Sequence, residues 1–137
     1  MTRKDFFEWC GSRGLIENTV IAAVFGVSSQ MVRNWRKGFD SSPMPDWIPL
    51  ACDGFDALRD GNALPVLPPV TAGWFKSWQT RNGLDGHEAT ARVFSITRQA
   101  VFNWFRRGRF PKWLALSCAG YEARIRRESH GPGDTST

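Results

Sequence analysis

Cysteine and histidine are scarce in this chain of 137 residues, with three Cys and two His and no CxxC pair. Cys10, Cys52, Cys118, His87 and His130 are too scattered to suggest a zinc site, so reduced, buried thiols are expected, with no metal and no cofactor. No apolar run approaches the roughly 18 to 20 residues of a membrane span. The opening MTRKDFFEWC lacks the apolar stretch of a signal peptide. A cytoplasmic protein with no membrane partner is expected. HExxH, a Gly-rich phosphate loop and paired acids in a recognisable frame are also missing, which argues against an enzyme. His87 reads as a helix-start residue, and no small-molecule ligand is evident.

Aromatic and basic residues, by contrast, are plentiful. Seven Trp and ten Phe supply large groups for compact cores, within an ordinary globular balance of 42% apolar and 23% charged residues. The formal charge of +5 suits either a polyanionic partner or a solvated surface. Where the charge sits decides more, and that depends on a repeat.

Sliding the chain by 69 residues pairs Phe6 with Phe75, Trp9 with Trp78, Gly14 with Gly83 and Leu15 with Leu84. The same register pairs Ala22 with Ala91, Val24 with Val93, Phe25 with Phe94, Gln30 with Gln99, Val32 with Val101, Asn34 with Asn103 and Trp35 with Trp104. At an offset of 66, PDWIPLACDGFDA then matches PKWLALSCAGYEA, aligning Trp47, Leu50, Cys52 and Gly54 with Trp113, Leu116, Cys118 and Gly120. Self-similarity of this kind signals a duplicated unit. The expected organisation is a first unit over 1–60, a Pro/Gly-rich linker over 61–71, a second unit over 72–127 and a disordered tail over 128–137.

The apolar spacing in each unit is helical and predicts an all-α fold of about four helices per unit, with no strand. Thr2 and Asp5 have capping-box spacing ahead of Phe6 and Trp9. Asn18 or Thr19 is placed to cap a second helix ending at Gly26, and Ser28 a third, with Met31 or Val32 and Trp35 inward. Pro45 suits the first turn of a fourth helix reaching Arg59. The second unit repeats the plan over about 72–81, 87–94, 97–107 and 111–127.

A short helix, a three-residue turn and a second helix with a polar outer face is the plan of the helix-turn-helix. TVIAAVFGVSSQMVRNWRKG, with Ala22 at the helix crossing, Gly26 at the turn and Val32 and Trp35 as anchors, resembles the motif of lambda-repressor and Cro-like (XRE-type) regulators of bacteria and phages. EATARVFSITRQAVFNWFRRG retains Ala91, Val101 and Trp104 but has Ser95 where that family prefers Gly. The resemblance implies a tandem helix-turn-helix protein that binds double-stranded DNA sequence-specifically and regulates transcription, possessing two recognition helices in one chain. It also implies a nucleoid-associated location, two half-sites roughly 34 Å apart, and self-association as a homodimer or its replacement by the covalent link.

Gln and Asn match an adenine edge, Arg and Lys a guanine edge, and Ser or Thr either base or phosphate. Base-reading candidates are therefore Ser29, Gln30, Arg33, Asn34 and Lys37 in the first copy. In the second they are Arg98, Gln99, Phe102, Asn103 and Arg106. Phosphate candidates are Ser28, Arg36, Thr97, Arg107, Arg109 and Lys112. Two alternatives stand beside these roles: Asn34 and Asn103 could brace their own helices, and Phe102 could lie between the units instead of against a thymine methyl. Residues 1–60 carry seven basic and eight acidic side chains, and residues 71–127 eleven basic and three acidic. The second copy is thus expected to dominate non-specific affinity, with Arg124, Arg126 and Arg127 extending its basic surface. The acidic first copy could instead contact protein. The competing functional readings are a non-enzymatic protein-interaction adaptor and an accessory factor in DNA architecture, recombination or packaging. Trp47, Trp113, Leu50 and Leu116 read as core behind the motif.

Overall fold

In the computed structural model, which describes residues 1–61 and 63–129, Thr2 and Asp5 form the expected reciprocal cap. The Asp5 N–H donates to Thr2 Oγ1 at 3.1 Å and the Thr2 N–H to Asp5 Oδ2 at 3.0 Å. The Thr2 backbone N–H, with its hydroxyl beside it, favours the charged carboxylate and holds the Asp5 pKa below its ordinary value. They open α1 (Arg3–Ser12), which is followed by α2 (Asn18–Phe25), α3 (Ser29–Lys37) and α4 (Trp47–Leu58). The second repeat supplies α5 (Ala72–Arg81), α6 (Gly86–Phe94), α7 (Arg98–Arg107) and α8 (Leu114–Ser129). The described residues are all-α, with isolated bridges at Thr2–Pro43 and Asp60–Ala63 in place of any strand.

Several boundaries differ from the sequence expectation. Glu17, not Asn18 or Thr19, is the N-cap of α2, and it makes no side-chain cap bond. The Asn18 oxygen is instead occupied by the Arg36 guanidinium. Pro45 sits in the turn before α4, where its carbonyl accepts from Ile48 N at 3.0 Å. Glu128 and Ser129, expected in the tail, complete the last turn of α8, and the remainder of that tail lies outside the described residues.

Each repeat gathers an aromatic core from its apolar stripes. In the first, Phe6 meets Phe25 edge-on at 5.2 Å and Trp35 at 5.6 Å. In the second, Phe75 stacks on Trp78 at 5.5 Å, and Trp78 meets Phe94 at 5.7 Å. Paired replacements keep the two cores compatible with one backbone. Where the first repeat buries Cys10 and Ile21, the second buries Gln79 and Thr90, joined by a 2.6 Å hydrogen bond from Gln79 Nε2 to Thr90 Oγ1, whose hydroxyl in turn donates to the Gly86 carbonyl at 3.1 Å. Where Arg36 lies over the Phe7 ring, the second repeat has Lys76 over Phe105, with cation and ring exchanged between the same two positions.

The two repeats meet along α4 and α8. Trp47 and Trp113 stack at 4.5 Å with their planes 10° apart, next to the start of each helix. Further along, Gly54 faces Leu116 and Gly120 faces Leu50 so closely that a Cβ on either glycine would fall 1.9 or 1.7 Å from the opposite carbonyl oxygen. The approach carries Leu116 into the core of the first repeat and Leu50 into that of the second. These leucines are buried as expected, but each completes the other repeat's core. Asp53 on α4 accepts from both Arg124 and Arg127 on α8, clipping the pair towards its far end. The connecting segment follows the same bodies, Leu67 packing on the first core and Val70 on the second.

Gly54→Ala and Gly120→Ala should each destabilise the chain by at least about 1–3 kcal/mol, the cost of overpacking against backbone that cannot yield. Gly11→Ala, in α1 with nothing within 4 Å of a new Cβ, should instead stabilise by about 0.5–1 kcal/mol. Urea unfolding midpoints measure both. Burial pushes all three thiols up, Cys10 to about 12, so none should react with a thiol reagent at pH 8 in the native chain and all three should react once it is unfolded.

Candidate nucleic-acid interface

The two exposed helices α3 and α7 are each started by a hydroxyl and preceded by a left-handed turn. Ser28 Oγ accepts from Met31 N at 3.1 Å, and Thr97 Oγ1 from Ala100 N at 3.1 Å. Ser28 and Thr97, two of the residues expected to touch phosphate, are thus N-caps, and each keeps its hydroxyl proton free to donate outward. Gly26 turns the chain at φ 66° and Ser95 at φ 55°, and the Val27 and Ile96 N–H groups both close onto the buried Ala22 and Ala91 carbonyls at 3.0 Å. Ser95 thus takes the turn that Gly takes in the first copy. Val32 and Val101 are fully buried beneath the two helices, and Met31 is exposed, which settles the inward position on Val32.

On the outer faces, the side chains shared by the repeats make the same contact. Gln30 Nε2 donates to Asn34 Oδ1 at 2.9 Å, and Gln99 Nε2 to Asn103 Oδ1 at 3.1 Å. Each bridge braces the outer face of its helix and leaves the Asn amide N–H groups directed to new acceptors. In the second copy the Gln99 carbonyl also remains open. In the first, Arg33 donates to Gln30 Oε1 at 2.9 Å through Nη2 and so joins the Gln–Asn pair in a three-residue row. Phe102, the counterpart of Arg33, is 46% exposed and sits edge-on to His87 at 6.1 Å. It belongs to an open groove with Asp85, Glu88, Arg98 and Gln99, not to the contact between repeats. The groove's histidine was invisible in the sequence as anything but a helix-start residue; its ring stacks on Phe105 at 5.3 Å, across a turn that no local pattern encodes.

The remaining candidates divide. Ser29 is half-buried in the first turn of α3. Lys37 near the end of α3, Arg98 at the start of α7, Arg106 and Arg107 in its last turn, and Arg109 beyond the left-handed Gly108 are exposed, and make no salt bridge among the described residues. Arg36 is used by the fold: it donates to Asn18 and to the Ile16 carbonyl while lying 4.3 Å over Phe7. Arg3, not singled out from sequence, donates to the Asn34 and Trp35 carbonyls at 3.1 and 2.9 Å and closes the C-terminal end of α3. Lys112 follows α7 in the chain, but its backbone and Cβ press on the Gly26 turn of the first repeat. Arg124 and Arg127, expected to extend the basic surface, are committed to Asp53. Asp56 is likewise taken up by Arg13 at 2.6 Å, so the acidic surface of the first repeat also shrinks.

Comparison with protein-family models, with curated proteins and with solved structures finds no match to this chain. Among the described residues no helix is long and apolar enough to cross a membrane.

Ser95→Gly should stabilise the chain by about 0.5–1 kcal/mol. That is the difference between roughly 1–2 kcal/mol of left-handed strain relieved and roughly 0.5–1 kcal/mol of added chain entropy lost on folding. A rise in the thermal midpoint would register it, and no rise would mean that Ser95 leaves this conformation in solution.

Proposed function

We propose that the chain binds double-stranded DNA sequence-specifically with α3 and α7, each presented as the second helix of a helix-turn-helix, and that it acts as a transcriptional regulator of the bacterial and phage type. The observation that carries this reading is the repeated outer face: two hydroxyl-capped helices that expose the same Gln–Asn bridge at matching positions, with a buried Val and a tryptophan anchored behind. An amide pair of this kind offers the acceptor and donor that an adenine edge requires, and the flanking Arg98 suits guanine. The Ser28 and Thr97 hydroxyls, with the positive ends of their helices, suit backbone phosphate.

Charge supports the same assignment. Arg106, Arg107 and Arg109 follow the second reading helix with no internal ion-pair partner among the described residues, and the exposed Lys112 packs its backbone and Cβ against the turn of the less basic repeat. Of the four acidic residues behind a protein-contacting first repeat, Asp40, Asp46, Asp53 and Asp56, the last two are held in internal ion pairs and the first two stay exposed.

Fluorescence anisotropy with random and selected duplexes between roughly 50 and 300 mM salt should show affinity falling by about 10³-fold or more, as expected for six or more neutralised phosphates. A flat response removes the proposal. Arg98→Ala and Gln99→Ala should relax base preference, while Arg107→Ala and Arg109→Ala should weaken every duplex alike and lower the salt slope by about one each.

A further inference from the structure

We infer that the chain recognises an inverted repeat of two unequal half-sites on one face of a single duplex, with the order of the halves dictated by the chain; this rests on the DNA-binding reading above. Two repeats written head to tail in sequence would equally well suit a direct repeat. The contacts between them are of the other kind. Gly54 meets Leu116 as Gly120 meets Leu50, Leu116 enters the first core as Leu50 enters the second, and Trp47 stacks on its own counterpart Trp113. Reciprocal contacts with self-paired residues on the axis are the mark of a two-fold relation, whereas a head-to-tail relation would pair each surface with a different one.

The turns that lead into the reading helices also stand at one end of this axis. Gly26 presses on Lys112 and on the Trp113 backbone, and the Trp113 ring touches Phe94 and Trp104 of the second repeat at 5.9 Å each. The Gly26 turn therefore lies beside the Trp47–Trp113 stack, and the two-fold relation puts the Ser95 turn at the equivalent place, so that both reading helices start from the same end of the axis. A two-fold arrangement of reading helices requires a two-fold arrangement of half-sites. The side chains break the symmetry. Ser29 and Arg33 in one copy face the half-site opposite to Arg98 and Phe102 in the other, so the two halves differ and the site has a direction.

Selection of bound duplexes from a random pool by the full chain tests this. The expected product is an inverted pair of non-identical halves at one fixed spacing, with at least tenfold weaker binding when a base pair is inserted between them or one half is reversed. The triple variant Ser29→Arg, Arg33→Phe and Lys37→Arg gives the first helix the base-reading side chains of the second, at one half-buried and two exposed positions. It should convert the selected site into a symmetric palindrome. Direct repeats, single half-sites or halves at variable spacing, from either protein, would overturn the inference while leaving DNA binding intact. No retention on any duplex at low salt would overturn both.

Discussion

The structure depends on how closely the backbones of α4 and α8 approach. Two glycines, Gly54 and Gly120, leave no side chain between the helices, and each faces a backbone carbonyl of the other helix. That approach is what lets Leu50 and Leu116 reach across into the opposite cores, where each is buried. A buried Leu contributes about 1.5–3 kcal/mol by removal from water, so neither repeat holds its full share of apolar burial without the other. For units of about 60 residues, near the size at which burial only marginally offsets chain entropy, this sharing matters more than it would in a larger domain.

The same constraint positions the candidate interface. Trp113 lies between the first repeat's turn and the second repeat's aromatic core, so the helix pair that joins the units also sets where α3 and α7 begin. Both the Gln–Asn bridges and the hydroxyl caps are local, and each is repeated with little change. What differs between the copies is the charge around them. Beside α3, Arg3 and Arg36 are drawn into the fold and Lys37 stays exposed, while after α7 Arg106, Arg107 and Arg109 all stay at the surface. Under the proposed function this makes the second repeat the stronger source of electrostatic attraction and the first a source of discrimination.

The helices, the duplication and the caps at Thr2 and Ser28 were legible in the sequence, whereas the cap of α2 was not. Capping boxes, apolar periodicity and left-handed turn residues act over three to five positions, so a one-dimensional reading finds them. The matched Gly54 and Gly120 were visible as a repeat identity, but nothing in a single strand of text says that two equivalent glycines face each other. Asn18 looked like a helix cap because its neighbours are helical. Its oxygen was claimed by a guanidinium 18 positions away, an outcome fixed by the packing of α3 on α1 and α2. Likewise Arg124 and Arg127 looked like free surface charge until Asp53, 71 and 74 positions earlier, came beside them.

By itself, then, the amino-acid sequence determined an all-α chain written twice, the register of the two copies, and which side chains their third helices turn outward, because each of these follows from spacing along one helix. The tertiary structure alone decided that the copies exchange leucines, that Lys112 packs against the other repeat's turn, and which of the basic residues remain outside internal ion pairs. Those outcomes belong to contacts between segments some 70 residues apart, and such contacts obey shape and charge in three dimensions, for which the linear order of residues carries no periodic signal.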